Sequence, residues 1–563
     1  MGAGSSPAKT AVRAPEGDAD DAAIAQAGRD LITLTSELWP ERATLLGLHD
    51  RDMDLTDRTL EGSAKGAARE QAMLDGLKAR FAKASASPAS RIDLAILESA
   101  LAVDIRRKHD LRPLERNPTD YEAPLDAIFA MTAREYAPAP ERALNALSRI
   151  EKLAPMLDSL PAANLKRPPR IWTTVAMERA TGAADFLEQQ RPFLEGALPD
   201  QKPRIATAIA AAQAAFVRYK AFLEHDVLPR SDGDFAMGRD LFDWMLRENY
   251  FLDRNADDLL VLGQKLLDRT LGEMDVVAKR IDPTAKSWPE VTARLKTHHP
   301  AAADLIPSYV REVQRARAFL VAKDAVPFPP GDDCQVIATP AFLRTTITAA
   351  YEGAPAFDDK TTRGFFFVTP VDPSLSAAKQ EQMLRENDYG DEVNTAVHET
   401  YPGHHLQLSF ARRHPSLIRK ATGPDIFSEG WALYSEELMS ELGYYTDEER
   451  LMQLEWTLAR AARVVIDVGL HAKGMSFDDA VKILTDRVHF ERELALSEVK
   501  RYTMDPTQPL SYLVGREMIF EMRTRMQKRD GQGFSLKSFH EQMLTHGTIA
   551  PGLLAKEIFG AAP

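Results

Sequence analysis

The chain has 563 residues, more than one hydrophobic core ordinarily holds, so several packed subdomains are expected. Hydrophobic residues make up 44% and charged residues 27%, the composition of a soluble globular protein, while a net charge of −13 argues against nucleic acid or an anionic membrane as the principal partner and leaves room for a local basic pocket for a substrate carboxylate. The single cysteine, Cys334, excludes an intrachain disulfide and a Cys-rich zinc site, so any metal falls to His, Asp and Glu. Cys334 itself reads as a small buried hydrophobe.

The opening MGAGSSPAKTAVRAPEGDADD lacks the apolar centre of a signal peptide and reads as a flexible Gly/Ser/Pro/Ala leader over 1–22. A chain whose signal has been removed would look the same. A periplasmic or secreted location is therefore the expectation, with the cytoplasm as the alternative. From about 23 to 47, Ile24, Leu31, Ile32, Leu38 and Leu45 recur at the spacing of an amphipathic helix. Similar patterns cover 91–109, 140–158, 199–226, 256–281 and 303–323, with KRPPR and VPFPPGDD as breaks. IATAIAAAQAAFV is too short and too interrupted for a transmembrane segment and reads as an Ala-rich buried helix. No repeat of fixed period is present. His298 and His299, followed by Pro300, read as a loop.

Between about 333 and 370 the texture changes. CQVIATP, LRTTITAAYEG and GFFFVTPV are β-branched and aromatic, bounded by Gly, Pro and Asp, and predict a small β-hairpin or sheet beside an active-site cleft. Helical patterns then resume to the C-terminus. The predicted fold is mainly α, with an N-terminal helical half at 23–332 and a second half at 333–563 holding the β element and the site helices.

The chemistry centres on His398-Glu399-Thr-Tyr-Pro-Gly-His404-His405. The common zinc motif HExxH places its two histidines four apart on one helical face, but here that position is Pro402. On a straight helix His404 would be rotated from His398 by about 240° and displaced by about 9 Å, and His405 would lie about 10 Å along the axis. Neither could share an ion whose Zn–N distance is about 2.0–2.1 Å. Pro402 disfavours helix at Tyr401 and Gly403 permits a positive φ, so the chain can loop out and return. His404 is the preferred second ligand, with His405 as the alternative. A third ligand is expected from DIFSEGWALYSEELMSEL, with Glu429 near its start, although Glu429 as a helix cap is the competing reading. Two imidazoles and one carboxylate leave a fourth position open, the arrangement of a catalytic Zn2+, one per chain. Glu399 would be the general base.

At HETYPGHHLQ and FSEGWALYSEEL the chain resembles a bacterial family known as domain of unknown function 885. That family is similar, distantly, to helical zinc peptidases of the angiotensin-converting-enzyme and thermostable-carboxypeptidase type. LWPERATLLGLHD, GRDLFDWMLRENY and PTQPLSYLVGREMI extend the likeness over most of the chain. The resemblance implies His398, His404 and Glu429 as ligands and Glu399 as base.

Groups to handle a substrate are sought in the following helices. Helix 447–472 carries Arg463, Asp467 and His471 at i, i+4 and i+8, so Asp467 could orient His471 towards an oxyanion; a buried structural ion network is the alternative. SEVKRY places Glu498, Arg501 and Tyr502 on one face, with Tyr502 an oxyanion donor and Arg501 a carboxylate clamp, or else a salt-bridged surface. Tyr512, after PTQP, is a weaker candidate of the same kind. The expected function is hydrolysis of short peptides. The rivals are a metal-dependent hydrolase of a non-peptide amide or ester, and a non-catalytic helical binding protein.

Overall fold

The predicted periodicities become helices close to their expected limits in the structure, a computed structural model that describes residues 16–340, 344 and 347–560. The first helix, Glu16–Leu38, starts ahead of residue 23, within the stretch expected as a leader; residues 1–15 of that stretch lie outside the described residues. Its acidic first turns are used: Asp20 and Asp21 accept hydrogen bonds from the backbone N–H groups of Ser85 and Ser87, beside the start of helix Pro88–Arg106. Pro40 then divides the 23–47 pattern, because a new helix, Pro40–Leu46, begins at it. Helices Ala139–Asn164, Arg170–Ala197 and Lys202–Phe222 share a core of their own around Ile150, Phe186, Leu187, Ile209 and Phe216. The Ala-rich helix buries one stripe, Ile205, Ala208, Ile209, Ala212, Ala215 and Phe216, and leaves its other faces to solvent.

The β element is a three-stranded mixed sheet. Strand β1 (Asp333–Ala338) runs parallel to β3 (Arg363–Val368), and β2 (Ala349–Glu352) runs antiparallel to the other side of β3. The order β1-β3-β2 leaves β2 at an edge. Part of LRTTITAAYEG, residues 343, 345 and 346, lies outside the described residues. Phe366 and Val368 of the central strand are buried in the same core as Val393 and Val397 of helix Tyr389–Glu399, so the sheet and the helix that carries His398 share one core.

Two large cores meet at helix Asp425–Glu441. Phe427, Trp431, Tyr434 and Leu438 enter one, shared with Val393, Val397 and Phe366, while Ile426 and Leu433 enter the other. Helix Asp447–Ala472, buried from Leu451 to His471 except at the half-buried Trp456, forms the spine of the second core. Thr446 and Glu449 close a capping box at its start. A helix that is apolar on both flanks holds its remaining polar stripe in a fixed direction. In helix Asp425–Glu441, flanked by both cores, that stripe contains Glu429 and Glu436.

Candidate metal centre

Helix Tyr389–Glu399 ends at Thr400, whose φ of −121° and ψ of −85° are not helical, and a new helix, His404–Ala411, starts at the first histidine after the loop. Two backbone bonds span the loop, from Gly403 N–H to Val397 O (3.1 Å) and from Leu406 N–H to Thr400 O (3.2 Å). The Trp431 indole N–H holds it from outside by donating to Pro402 O at 2.8 Å. Gly403 is needed for a different reason from the one expected. Its φ is −70°, so no left-handed conformation is involved, but a Cβ there would lie 1.8 Å from His398 O. The returning chain passes too close to the end of the preceding helix for any side chain.

The loop brings His404 to His398, with ring centroids 4.9 Å apart and planes nearly perpendicular. Glu429 completes the group. Its Oε2 lies 3.3 Å from His404 Nε2 and 3.7 Å from His398 Nε2, and donor atoms of all three residues fall within 4.8 Å of one another. Oε2 is also buried with no hydrogen-bond partner, an unfavourable state for a carboxylate oxygen unless a cation completes it. Burial pushes the Glu429 carboxyl up, but His404 and His398 outweigh it and hold it far below the usual range. In the same way burial favours neutral His398, yet Glu429 and Glu436 raise it to about 9. The cluster is thus built for positive charge at its centre. Two imidazoles and one carboxylate form a donor set that fits a divalent ion such as zinc.

Glu436, not singled out from the sequence, accepts from His398 Nδ1 at 2.7 Å and from Gln453 Nε2 at 3.3 Å. It fixes the tautomer that leaves Nε2 free to bind. The signal was present, since Glu436 follows Glu429 by two helical turns. His405, the alternative ligand, faces away. It is fully buried, its Nδ1 pairs with the Tyr351 hydroxyl at 2.9 Å, its Nε2 lies 3.9 Å from Asp332, and burial lowers it to about 4.

Glu399 is half-buried beside the two histidines. Burial raises its carboxyl above the ordinary value, and His398, then His404, and least the Tyr351 backbone N–H on the edge strand β2 offset part of that rise. A cavity of about 240 Å³ is lined by Arg42, Arg107, Phe251, Pro424 and Asp425, and Asp425 stands one helical turn before Glu429, although no residue of the cluster lines the cavity. Burial first, and then Glu429, push the Asp425 carboxyl up to about 7.

Of the substrate-handling candidates, only Tyr512 reaches the cluster. Its ring stacks on His398 at 6.2 Å and 17°, and burial followed by the Glu429 charge pushes its phenol up to about 12. Gln508 Nε2 donates to its hydroxyl at 3.3 Å, and Gln508 Oε1 accepts from Arg501 at 2.9 Å. Tyr502 is fully buried, with its hydroxyl committed to Glu498 (2.5 Å) and Arg463 (2.8 Å). His471 is likewise buried, bonded to Tyr502 O at 2.9 Å and to the Met237 N–H at 3.4 Å, and packed on Phe235 and Phe242. Asp467 accepts from the backbone N–H groups of Thr507 and Leu510 and stands 3.8 Å from His471, so it orients a helix start and not the imidazole. The Tyr502 hydroxyl and the His471 ring nitrogens are thus engaged within the fold. Arg501 bonds Glu498 at 3.1 Å and keeps 38% of its side chain exposed.

The sequence profile of the family described as "Bacterial protein of unknown function (DUF885)" matches residues 40–558. The chain belongs to that family. The DUF885 fold seen here is similar to two solved structures. One is described as a "putative lipoprotein of unknown function" from Shewanella oneidensis (24% identity, TM-score 0.78, covering 95% of this chain and 99% of that one). The other is described as a "putative lipoprotein" from Colwellia psychrerythraea (18% identity, TM-score 0.81, covering 96% and 98%). No curated protein matches the sequence. Among the described residues of this DUF885 member, no helix is long and apolar enough to cross a membrane.

Proposed function

We propose that this protein is a zinc-dependent peptidase that hydrolyses short peptides. The observation that carries the reading is the convergence of His398, His404 and the unpartnered Glu429 Oε2 beside Glu399. A divalent ion held by those three residues would supply Lewis-acid polarisation of the scissile carbonyl and would acidify water.

The remaining work falls to side chains of the protein. Glu399 accepts the proton of the attacking water and passes it to the leaving nitrogen. Its raised carboxyl makes it a stronger base than an exposed glutamate, and a binding site without chemistry has no use for a carboxylate there. Tyr512, kept protonated by its surroundings, donates its hydroxyl hydrogen to the developing oxyanion. Glu436 orients His398 throughout. The edge strand β2, beside Glu399, offers backbone groups on which an extended peptide can lie.

We place the protein outside the cytoplasm, a reading supported by the lipoprotein descriptions of the two similar structures. The test of the function is Glu399→Gln. The variant is expected to keep its metal and lose turnover on a mixed short-peptide library. Undiminished hydrolysis by that variant, or no hydrolysis by the zinc-loaded wild type, contradicts the proposal.

A further inference from the structure

Helix Asp447–Ala472 carries two arginines, Arg460 and Arg463, one turn apart in a buried and largely apolar stretch. Arg463 is matched: Nε donates to Tyr502 and Nη2 to Glu498 at 2.7 Å, and Nη1 alone is buried without a partner. Arg460 is not matched. It is only 9% exposed, and its Nε and Nη1 are buried with no hydrogen-bond partner. Among the described residues its guanidinium enters no hydrogen bond or ion pair. Its close neighbours are aromatic, with the Trp456 ring at 4.5 Å and the Tyr512 ring at 5.7 Å.

A buried guanidinium with no counter-ion is strongly unfavourable, and cation–π contacts recover only part of the loss. The carboxylates nearby are already engaged. Glu498 serves Arg463, Arg501 and Tyr502, while Glu436 serves His398 and Gln453. Two guanidiniums, those of Arg463 and Arg501, already share Glu498, and Arg460 feels the charges of Glu436 and Glu498 without bonding to either. The surplus positive charge also has a location. Arg460 and Arg463 both face the Tyr512 ring, at 5.7 and 4.8 Å, and that ring stacks on His398.

We propose that Arg460, backed by Arg463, binds the free carboxylate of the substrate, so that the substrates are short peptides with an unblocked C-terminus. This rests on the hydrolase reading above. In the reaction so directed, water's oxygen joins the acyl carbon, the C–N bond breaks, and the proton goes to the nitrogen of the released C-terminal fragment. The role expected for Arg501 from sequence passes to an arginine that has no other partner.

The experiment measures binding calorimetrically in the metal-loaded Glu399→Gln protein, with N-acetyl-Ala-Ala and its C-terminal amide as probes. The free acid is expected to bind more tightly by about 10- to 100-fold, the worth of a hydrogen-bonded charge pair. Adding Arg460→Gln should bring that ratio close to one without lowering the melting temperature, because it removes an unpaired buried charge. Arg460→Lys, which keeps the charge but not the fork, should retain part of the preference. Equal binding of acid and amide, binding of neither, or a ratio unchanged by Arg460→Gln overturns the proposal. So does a large fall in melting temperature, which would mark the guanidinium as structural. Selective free-acid binding in a protein whose wild type cleaves no amide would defeat the hydrolase reading and leave the carboxylate site standing.

Discussion

Gly430, the residue after Glu429, touches Gly515 so closely that a Cβ on it would stand 2.6 Å from the Gly515 backbone. In the other direction, a Cβ on Gly515 would stand 1.9 Å from Ile426 O. Gly515 follows Tyr512 by one helical turn in helix Gln508–Asp530. The two glycines thus set the distance between the helix that supplies the carboxylate ligand and the helix that supplies the proposed oxyanion donor. The segment FSEGWALYSEEL reads accordingly: Glu429 faces the ion, Gly430 admits the neighbouring helix, Trp431 holds the Pro402 carbonyl, and Glu436 orients His398.

Gly515→Ala is expected to force those helices apart. Overpacking of this kind costs about 1–3 kcal/mol. Urea unfolding should register that loss, and turnover should fall further than stability because Tyr512 moves away from His398. Unchanged stability would show that the contact can relax.

Tyr512 and Tyr502 should separate cleanly. Tyr512→Phe removes one oxyanion donor and should lower kcat by roughly 10²- to 10³-fold with metal retained. Tyr502→Phe leaves Glu498 and Arg463 short of a partner, so its effect should be about 1–3 kcal/mol of stability with kcat largely kept. The reverse pattern would restore the assignment expected from sequence.

Glu436→Ala should weaken metal affinity by about 10- to 100-fold, since loss of an orienting partner frees the imidazole to rotate and change tautomer. Competition with a chromophoric chelator measures it. An affinity equal to wild type would reduce Glu436 to a packing role.

Acid should destabilise the fold through its neutral buried histidines. His540 is fully buried, with Nδ1 bonded to Ala325 O at 2.7 Å and Nε2 to the Tyr434 hydroxyl at 2.8 Å, and burial lowers it to about 4. A folded value below the unfolded one, near 6.5, means that the unfolded chain takes up the proton first. The stability is complete above about pH 6.5, falls as pH drops, and is lost by about pH 4, a contribution of about 3 kcal/mol. Urea unfolding between pH 7 and 5 should show this slope in wild type and a slope smaller by about one proton in His540→Asn. Parallel pH dependences would contradict it.

Local periodicity and spacing were enough for the helices, the small sheet and the argument that His398 and His404 need a loop between them. Other features depended on contacts far apart in sequence. The close approach to His398 O that requires Gly403, the packing of Gly430 on Gly515, and the engagement of the Tyr502 hydroxyl by Arg463 cannot be read from neighbouring residues. Arg460 lies between these cases. Its spacing from Arg463 in a hydrophobic helix was visible, but its lack of a partner emerges only when every nearby carboxylate has been assigned.

Metal content is the measurement closest to the central claim, taken on wild type beside His398→Ala, His404→Ala and His405→Ala. The structure brings His404 to Glu429 and turns His405 towards Tyr351. The account therefore predicts about one zinc per chain in wild type and in the His405 variant, and loss in the other two. Zinc kept without His404, or a wild-type chain that takes up none when supplied with it, would contradict the account.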